Sequence, residues 1–380
     1  MKVLFLALDI NLDRQRGDAI HTRELARFLA ARGHTVDLVT APPKAAIGLD
    51  GVCSHTRPAA SDWKQLRFCA RLALSSGSEV VYERRSSPKI AFAVSRLAGI
   101  PFVVEINGSD QEVKLQGRRV TTVSRPLRQW ARTRMMRRAA RVVAVTAPLA
   151  AEVQCSYGLQ SARLKVVQNG VDTKQFAPLD KRMARLRLNL PPESPLILFV
   201  GNLAPWQGIE DLFRSLSVAL TDAPTLRVIV IGDGSARSAL NRLATELGVQ
   251  DSVQFTGLVP HETVPLYIGA ADVCIVTSSR EMNERVGRSP LKLYEYMACG
   301  RPVIATEVPG VREVILDSAA GILVSPNDSM ALGKAISGLL ANPDRARAIG
   351  DRGRKYAVAE CSWARTSERV EAVLLEAVGD

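Results

Sequence analysis

The sequence predicts an α/β protein of two doubly wound domains, each built on a parallel sheet. Short apolar, β-branched runs alternate with amphipathic stretches of helical period along the whole chain. The strand candidates are apolar on both faces, which is typical of parallel sheets that helices cover on both sides. The chain has 380 residues, which is enough for two domains with a core each.

The first half contains six strand candidates and a clear first helix. The strands are KVLFLAL (2–8), TVDLVT (35–40), EVVY (79–82), PFVVEI (101–106), RVVAVT (141–146) and LKVVQ (164–168). A helix is predicted after the first strand, because Leu25, Phe28 and Leu29 have the spacing of one helical face. Gly33 is suited to end this helix.

The second half repeats this scheme after a proline-rich connection. Its strand candidates are PLILFV (195–200), LRVIVI (226–231), SVQFTG (252–257), DVCIVT (272–277) and RPVIAT (301–306). The connection, Gln168 to Leu196, is dense in turn residues and predicts a linker and natural hinge. From Pro343 onward the pattern is helical, and Trp363 and Leu374 are available for packing. We therefore predict a first domain over 1–175, a second over 176–360, and a C-terminal helix over 361–380 that crosses back to the first domain.

The composition excludes several classes of protein. With 47% hydrophobic and 23% charged residues, the chain has the composition of a soluble globular protein. No stretch of 18 apolar residues occurs, and polar residues interrupt the opening run MKVLFLAL, so we interpret that run as a buried strand rather than a signal peptide. The six cysteines form no C-x-x-C pair, which argues against disulfides and zinc and for reduced cytoplasmic thiols. No D-x-D pair and no histidine pair at ligand spacing occurs, so we predict no metal site.

The net charge of +12 lies entirely in the first half. Residues 1–180 hold 28 basic and 15 acidic side chains, a balance of +13, and residues 181–380 hold 22 and 23, a balance of −1. From Val113 to Ala151 there are ten basic residues and no acidic one. Such a block attracts phosphates, although a solvated helix face with no partner is the alternative. A nucleic acid is disfavoured as the partner, because Trp130 is the block's one aromatic residue and no recognised binding motif occurs.

Within this block, residues 126–141 have the pattern of a basic helix with an apolar side. Leu127, Trp130, Ala131 and Met135 share that side. The pattern predicts binding to an anionic membrane surface, with core packing of Trp130 and Met135 as the alternative. The predicted membrane-surface residues are Arg128, Trp130, Arg134, Arg137 and Arg138.

Four loops after strand candidates are suited to bind an anion. The first contains Gly17, and the others are 199–208, 231–237 and 283–305. The last is the most informative, because Ser289 is a good N-cap and Pro290 suits the first helical position. Lys292 then lies in the first turn, flanked by Arg285 and Arg288, which predicts a diphosphate site. Glu295 lies three residues later and is suited either to bind sugar hydroxyls or to form an ion pair with Lys292.

The motifs QNGVDTKQF, FVGNLAPWQGIEDL, IGDGSAR, VQFTGLVPHETVPLY and SPLKLYEYMACGRPVIA occur in this order. Together they resemble the retaining nucleotide-sugar glycosyltransferases of family 4. The segment GDAIHTRELARFLAARGHTVDLVT resembles the opening of the same family. The resemblance implies the GT-B fold, in which two Rossmann-like domains face each other across a cleft. It also implies that the first domain binds the acceptor and the second the nucleotide sugar.

The resemblance assigns roles to individual residues. The implied donor-binding residues are Gly17, Asn202, Gln207, Gly232, Leu258, Val259, Ser289, Pro290, Leu291, Lys292 and Glu295. The implied catalytic residues are Asn107, Lys292 and Glu284, and acceptor contacts are expected at Asp18 and His21.

The chain departs from the family pattern at three places. Gly287 stands where many members have a glutamate, for which Glu284 is the candidate replacement. Asn202 and Gln207 are neutral where members often have Arg and Lys. Asn107 stands where many have a histidine, and an amide forms hydrogen bonds but cannot carry a proton. We interpret these changes as a subfamily that uses Lys292 and a helix dipole instead; an impaired enzyme is the alternative.

The resulting expectation is a metal-independent, retaining transfer of a hexosyl or related sugar. The donor is a UDP- or GDP-sugar, with no resident cofactor, and the acceptor is a hydroxyl of a glycan, a lipid-linked or a small molecule. The expected location is the cytoplasm, peripherally on the inner membrane face, in polysaccharide or glycoconjugate biosynthesis. The competing hypothesis is a catalytically impaired sugar-nucleotide-binding protein of the same fold. The sugar, the acceptor and the oligomeric state have no readable code in the sequence.

Overall fold

The computed structural model describes residues 1–13, 17–42, 48–59, 61–85, 87–108, 125–279, 287 and 289–379. The chain divides into two compact units. The first unit comprises 1–169, 287–289 and 363–380, and the second comprises 170–286 and 290–362. The sequence boundaries were placed at 175/176 and 360/361, a few residues away from these divisions.

The first unit is built on a seven-stranded parallel sheet of order β3-β2-β1-β4-β5-β6-β7. Its strands are β1 (Lys2–Ala7), β2 (Thr35–Thr40), β3 (Val52–Thr56), β4 (Val80–Arg84), β5 (Phe102–Ile106), β6 (Arg141–Ala144) and β7 (Leu164–Val166). Its described helices are α1 (Gly17–Ala31), α2 (Asp62–Ser76), α3 (Lys89–Ala98), α4 (Arg125–Met136), α5 (Ala147–Tyr157) and the last helix of the chain, α14 (Trp363–Gly379). Trp363 and Leu374 of α14 are buried, as the sequence predicts.

The second unit is built on a six-stranded parallel sheet of order β10-β9-β8-β11-β12-β13. Its strands are β8 (Leu196–Val200), β9 (Arg227–Ile231), β10 (Val253–Gly257), β11 (Val273–Val276), β12 (Val303–Thr306) and β13 (Gly321–Val324). Its described helices are α6 (Lys181–Arg187), α7 (Ile209–Asp222), α8 (Arg237–Glu246), α9 (Val264–Ala270), α10 (Leu291–Ala298), α11 (Val311–Ser318), α12 (Ser329–Leu340) and α13 (Pro343–Glu360).

Each sheet has a core on both faces, which explains the near-continuous apolar strands. In β1, Leu4 and Leu6 belong to one buried cluster, and Val3 and Phe5 belong to the cluster on the opposite face. The residues of β8 alternate in the same way between two clusters. The prediction of parallel sheets covered on both sides is therefore confirmed.

The eleven strand candidates are all strands, but two edge strands were not predicted. These are β3 and β13, which end the seven-stranded and the six-stranded sheet. Helices cover the edge strand β3 (VCSHT) less completely, so its sequence lacks a continuous apolar run, whereas β13 (GILV) is apolar and was not assigned. In β3, all five residues are exposed or half-buried.

Most of the predicted linker over 168–196, from residue 170 onward, is instead packed into the second unit. Phe176 is buried in its core, and α6 lies within the segment. Arg185 of this helix is buried, donates to the Ala270 carbonyl at 3.0 Å and forms an ion pair with Asp272 at 2.7 Å. The proline and turn content correctly indicated a change of unit but not these contacts.

In the described part of the chain, no helix combines the length and the apolar character that crossing a bilayer requires.

Two glycines of α12 provide a test of helix packing in the second unit. A Cβ on Gly333 would lie 2.7 Å from the Val218 Cβ and 2.8 Å from the Ser215 carbonyl oxygen of α7, whereas Gly338 has open space. We expect Gly333→Ala to lower the free energy of unfolding by about 1–3 kcal/mol through overpacking. The matched control Gly338→Ala is expected to raise it by about 0.5–1 kcal/mol, because alanine loses less entropy in a helix. Urea denaturation measures both; equal effects would contradict this packing.

Candidate functional site

The carboxyl ends of β8 and β11 mark the point where the strand order of the second sheet reverses. In open parallel sheets this switch point is where ligands bind. The loop after β8 contains Gly201 and the predicted donor-site residues Asn202 and Gln207, and α10 begins nearby in the fold.

The first residues after β8 and β9 are joined to the last residues of β9 and β10 by backbone hydrogen bonds. Gly201 donates to the Ile231 carbonyl at 2.9 Å, and Gly232 donates to the Gly257 carbonyl at 2.8 Å. Gly232 has a φ of +127°, and a Cβ there would lie 1.9 Å from the Gly201 carbonyl oxygen. Only glycine fits at this approach. Its predicted contact with the donor remains a prediction.

Lys292 of α10 is held at the end of β8. Its Nζ lies 3.9 Å from the centroid of the Phe199 ring and donates to Gln207 Oε1 at 2.8 Å. One turn later on the helix, the Tyr296 hydroxyl accepts a hydrogen bond from the Val200 backbone N–H at 2.7 Å. These contacts fix α10 against β8 and place a cation, only 8% exposed, beside the loop that follows β8.

The start of α10 differs from the prediction by one residue. Pro290 is the N-cap, with ψ at 121°, and the helix begins at Leu291. Ser289 therefore precedes the cap, because the extended Pro290 delays the helix; the Ser289 carbonyl accepts from Asn169 Nδ2 at 2.8 Å.

Glu295 is paired with His261, a partner that the sequence analysis missed. Glu295 Oε1 lies 2.9 Å from His261 Nε2, and the His261 ring packs on Phe176 at 5.1 Å between centroids. His261 follows β10 and the predicted base-binding residues Leu258 and Val259. Leu258 is exposed and Val259 is half-buried against the core.

In the first unit, a buried carboxylate lies at the end of β5. Glu105 accepts a hydrogen bond from the Tyr82 hydroxyl, and its Oε1 lies 2.9 Å from His21 Nε2 and 3.2 Å from Arg84 Nε. It also accepts a hydrogen bond from Asn107 Nδ2. Asn107, the predicted catalytic amide, is therefore anchored in a charged network.

This network places His21 in the interior. The ring is 3% exposed and packs edge-on against Trp363, with centroids 5.3 Å apart. The predicted contact of His21 with the acceptor substrate remains a prediction. In the structure, His21 Nε2 contacts the Glu105 carboxylate. Asp18 lies in the first turn of α1, which begins at Gly17.

Glu105 and Glu83, on neighbouring strands, have oppositely shifted pKa values. Burial would raise the pKa of Glu105, but His21, Arg84 and Tyr82 around it lower the value to about 2. Burial raises the pKa of Glu83 to about 7, against the opposing effect of the Ala91 N–H, which donates to its Oε2 at 2.9 Å. The two pKa values differ because Glu105 is surrounded by His21, Arg84 and Tyr82, whereas burial dominates at Glu83.

Comparison with known proteins identifies the family. Residues 16–175 match the family described as Glycosyltransferase Family 4, and residues 180–356 match the family described as Glycosyl transferases group 1.

The chain belongs to glycosyltransferase family 4.

Among curated relatives, the D-inositol 3-phosphate glycosyltransferase 2 of Catenulispora acidiphila is 32% identical over 249 residues, which are 63% of this chain and 57% of that protein. The D-inositol 3-phosphate glycosyltransferase of Acidothermus cellulolyticus is 29% identical over 407 residues, covering 96% of this chain and 87% of that protein. Thus the chain spans little more than half of the length of the first of these relatives.

Solved structures share the fold across the whole chain. Sucrose-phosphate synthase from Thermosynechococcus elongatus has a TM-score of 0.81 at 23% identity and covers 99% of this chain and 98% of that chain. Anabaena HepE in complex with UDP-glucose has a TM-score of 0.76 at 19% identity and covers 99% of both chains. The predicted GT-B fold class is confirmed.

One departure from the family 4 pattern has a packing cause. Gly287 stands where many members have a glutamate, and its contacts lie in the first unit. A Cβ at this position would lie 2.4 Å from Thr146 Oγ1 and 2.8 Å from the Leu149 nitrogen, at the start of α5. The Gly287 carbonyl also accepts a hydrogen bond from Thr146 Oγ1 at 3.1 Å. A glutamate therefore does not fit at this position. Glu284, Arg285 and Arg288 lie outside the described residues.

Helix α4 carries an exposed apolar and basic surface, but it is shorter than predicted. It ends at Met136, because Met136 is buried in the core and β6 begins at Arg141. Leu127 is 69% and Trp130 60% exposed, which excludes the core-packing alternative for Trp130. Arg128, Arg134, Arg137 and Arg138 are also exposed, although Arg137 Nε donates to the Tyr157 carbonyl at 2.7 Å.

Within the part of the chain that the structure describes, no group of three or more His, Cys, Asp or Glu side chains is arranged to hold a metal ion.

The residues that sequence analysis missed are Glu105, its partners Tyr82 and Arg84, and His261. A carboxylate within the apolar strand FVVEI was an available signal, because an unpaired buried charge is costly and requires partners. The pairing of His261 with Glu295, 34 positions apart in the chain, left no comparable signal.

The raised pKa of Glu83 predicts a pH dependence of stability. Its folded-state value of about 7 lies above the ordinary 4.5, so its stabilising contribution is complete below pH 4.5 and is lost as the pH rises through 7. We expect Glu83→Gln to make the decline of the unfolding free energy between pH 5 and 7.5 shallower, as measured by urea denaturation at each pH. An unchanged slope would contradict the raised pKa, and Glu79→Gln, an exposed carboxylate, serves as the control.

Proposed function

We propose that this protein transfers a sugar from a nucleoside diphosphate sugar to an acceptor hydroxyl. The observation that carries this proposal is the position of Lys292 Nζ, 2.8 Å from Gln207 Oε1 at the switch point of the second sheet. Members of the family often have a lysine where Gln207 stands. The ammonium that a lysine at 207 would supply is thus supplied here from α10.

The surroundings of Lys292 fit a diphosphate. The ammonium lies near the first turn of α10, whose N-terminal N–H groups attract anions. The ring of Phe199 stabilises the cation on one side without neutralising it. A leaving diphosphate accumulates negative charge, and a positioned cation stabilises that charge in the transition state.

Further residues have proposed roles in binding the donor and at the reacting centre. Glu295, oriented by His261, is placed to accept hydrogen bonds from the ribose hydroxyls, and the segment containing Leu258 and Val259 precedes His261 and is assigned to the base. Asn107 is assigned to a hydroxyl at the reacting centre. We assign a UDP- or GDP-linked sugar as the donor, and the UDP-glucose bound to the HepE neighbour supports the class of nucleotide sugars.

We further propose that transfer retains the anomeric configuration, as the family resemblance implies, and that it needs no metal. The acceptor class is a glycan, a lipid-linked molecule or a small molecule. Curated relatives named as D-inositol 3-phosphate glycosyltransferases favour a hydroxyl on a polyol phosphate, and one named as a phosphatidylinositol monomannoside mannosyltransferase, from Mycolicibacterium smegmatis, favours a glycolipid.

The decisive experiment measures release of UDP or GDP from a panel of UDP- and GDP-sugars, with glycan, lipid and polyol acceptors. Acceptor-dependent release supports transfer, and NMR of the product gives the anomeric configuration. Tight donor binding without turnover on any acceptor would support the competing sugar-nucleotide-binding function and contradict the enzyme.

Relocating the charge tests the role of Lys292. We expect Lys292→Gln to weaken UDP or GDP binding by about 10- to 100-fold, because a charge-assisted contact with phosphate is lost. Adding Gln207→Lys to that variant is expected to recover at least part of the affinity, since its ammonium would reach the same place. Isothermal titration calorimetry measures both.

The control for this experiment is Lys334→Gln, which removes an exposed lysine of α12 from the same unit. Wild-type affinity in Lys292→Gln, or an equal loss in Lys334→Gln, would contradict a local role. Thermal denaturation verifies that each variant is folded.

We also propose that α4 binds an anionic membrane surface. Exposed Leu127 and Trp130 lie on one helix with Arg128 and Arg134, and the Arg134 guanidinium lies 5.8 Å from the Trp130 ring centroid. An exposed tryptophan among arginines matches an interfacial helix, whose apolar side chains enter the headgroup region.

Vesicle sedimentation tests this surface. We expect binding to vesicles of phosphatidylglycerol and phosphatidylcholine but not to phosphatidylcholine alone. Arg128→Glu/Arg134→Glu is expected to lower the binding at least tenfold, because each basic residue contributes about 1 kcal/mol near an anionic surface. The matched control is Arg345→Glu/Arg347→Glu on α13. Equal binding to both vesicle types, or an equal loss in the control pair, would refute the proposal.

A further inference from the structure

The catalytic role proposed for Asn107 raises the question of which end of its amide faces the substrate. An amide presents either an N–H donor or a carbonyl acceptor, and these ends are related by a rotation of the side chain. Asn107 and Glu105 are two residues apart at the end of β5, and residues so spaced share one face of a strand. Their side chains are therefore neighbours by register.

Glu105 constrains that rotation. An ionised carboxylate only accepts hydrogen bonds, so the amide can meet it only through Nδ2. Asn107 Nδ2 donates to Glu105 Oε1 in the structure. The Oδ1 atom then points away from the carboxylate, and it is buried without a hydrogen-bond partner among the residues that the structure describes.

Three other side chains keep Glu105 in this role. Tyr82 donates to Oε2, His21 Nε2 lies 2.9 Å from Oε1 and 3.1 Å from Oε2, and Arg84 Nε lies 3.2 Å from Oε1. All three are buried or nearly so, and the carboxylate is 2% exposed. Positive and donor groups on the neighbouring strand β4 and on α1 thus hold the carboxylate charged and in place.

We propose that Glu105 is a positioning residue that fixes the Asn107 amide with its Oδ1 turned toward the substrate as a hydrogen-bond acceptor. This inference rests on the proposed function, in which Asn107 meets a hydroxyl at the reacting centre. A substrate hydroxyl would then donate to Oδ1. Glu105 and its three partners determine which end of the Asn107 amide faces the substrate, and they do not themselves touch the substrate.

A double-mutant cycle separates this role from a general effect on the fold. The variants are Glu105→Gln, Asn107→Ala and the double variant, assayed with UDP-glucose, or with GDP-mannose if the donor panel selects it. Glutamine keeps the shape of the side chain but offers an amide of either orientation to Asn107. We expect Asn107→Ala to lower kcat about 100-fold and Glu105→Gln to lower it about 10-fold, with the donor KM within threefold of wild type.

The decisive result is the double variant. If Glu105 acts through Asn107, adding Glu105→Gln to Asn107→Ala lowers kcat by less than twofold further, because the positioned group is already absent. The matched control is Glu83→Gln, a buried carboxylate of β4 that caps α3 through the Ala91 N–H. We expect it to change kcat less than twofold in either background.

Each other outcome overturns the proposal. An additive tenfold loss in the Asn107→Ala background shows that Glu105 acts by another route, and wild-type kcat in Asn107→Ala shows that the amide has no role. If Glu105→Gln is not folded by circular dichroism, Glu105→Asp takes its place in the cycle, because it keeps the charge but withdraws the carboxylate from the amide. Absence of turnover by the wild-type protein instead contradicts the proposed function itself and is recognised before any variant is made.

Discussion

Burial of both faces of two parallel sheets is the constraint on which the rest of this structure depends. It leaves the strand ends as the place for polar chemistry, and it requires every charge near those ends to have partners within the fold. Glu105 has four, and Lys292 has an aromatic ring and an amide. The groups proposed for catalysis are therefore held by contacts that exist before any ligand arrives.

Much of the fold was predictable because central strands and the first helix repeat one pattern. KVLFLAL and TVDLVT are apolar throughout because helices cover both of their faces. The edge strand β3 escaped prediction because partial solvent exposure removes that pattern, whereas β13 retains the apolar run GILV and was simply not assigned. Phe176 and Arg185 were assigned to a linker, because their segment is rich in proline and turn residues. Its sequence does not show that these two side chains are buried in the second unit.

The candidate site was predictable where chemistry is local in sequence. Lys292 was recognised because it lies in the first turn of a helix whose start Ser289 and Pro290 predict. The pairing of Glu295 with His261 and the convergence on Glu105 join positions far apart in the chain, and no spacing rule describes such contacts. Likewise, Gly287 was interpreted as a missing glutamate, whereas the close approach of Thr146 accounts for the glycine sterically.

The position of α14 has a consequence for the order of folding during synthesis. This helix packs into the first unit through Trp363 and Leu374, yet residues 170–362 separate it from the rest of that unit. At about 5–20 residues per second, a ribosome needs roughly ten to forty seconds to make the intervening segment. During that time one face of the first sheet is covered by α1 without α14, so the nascent first unit exposes apolar surface to chaperones until α14 emerges.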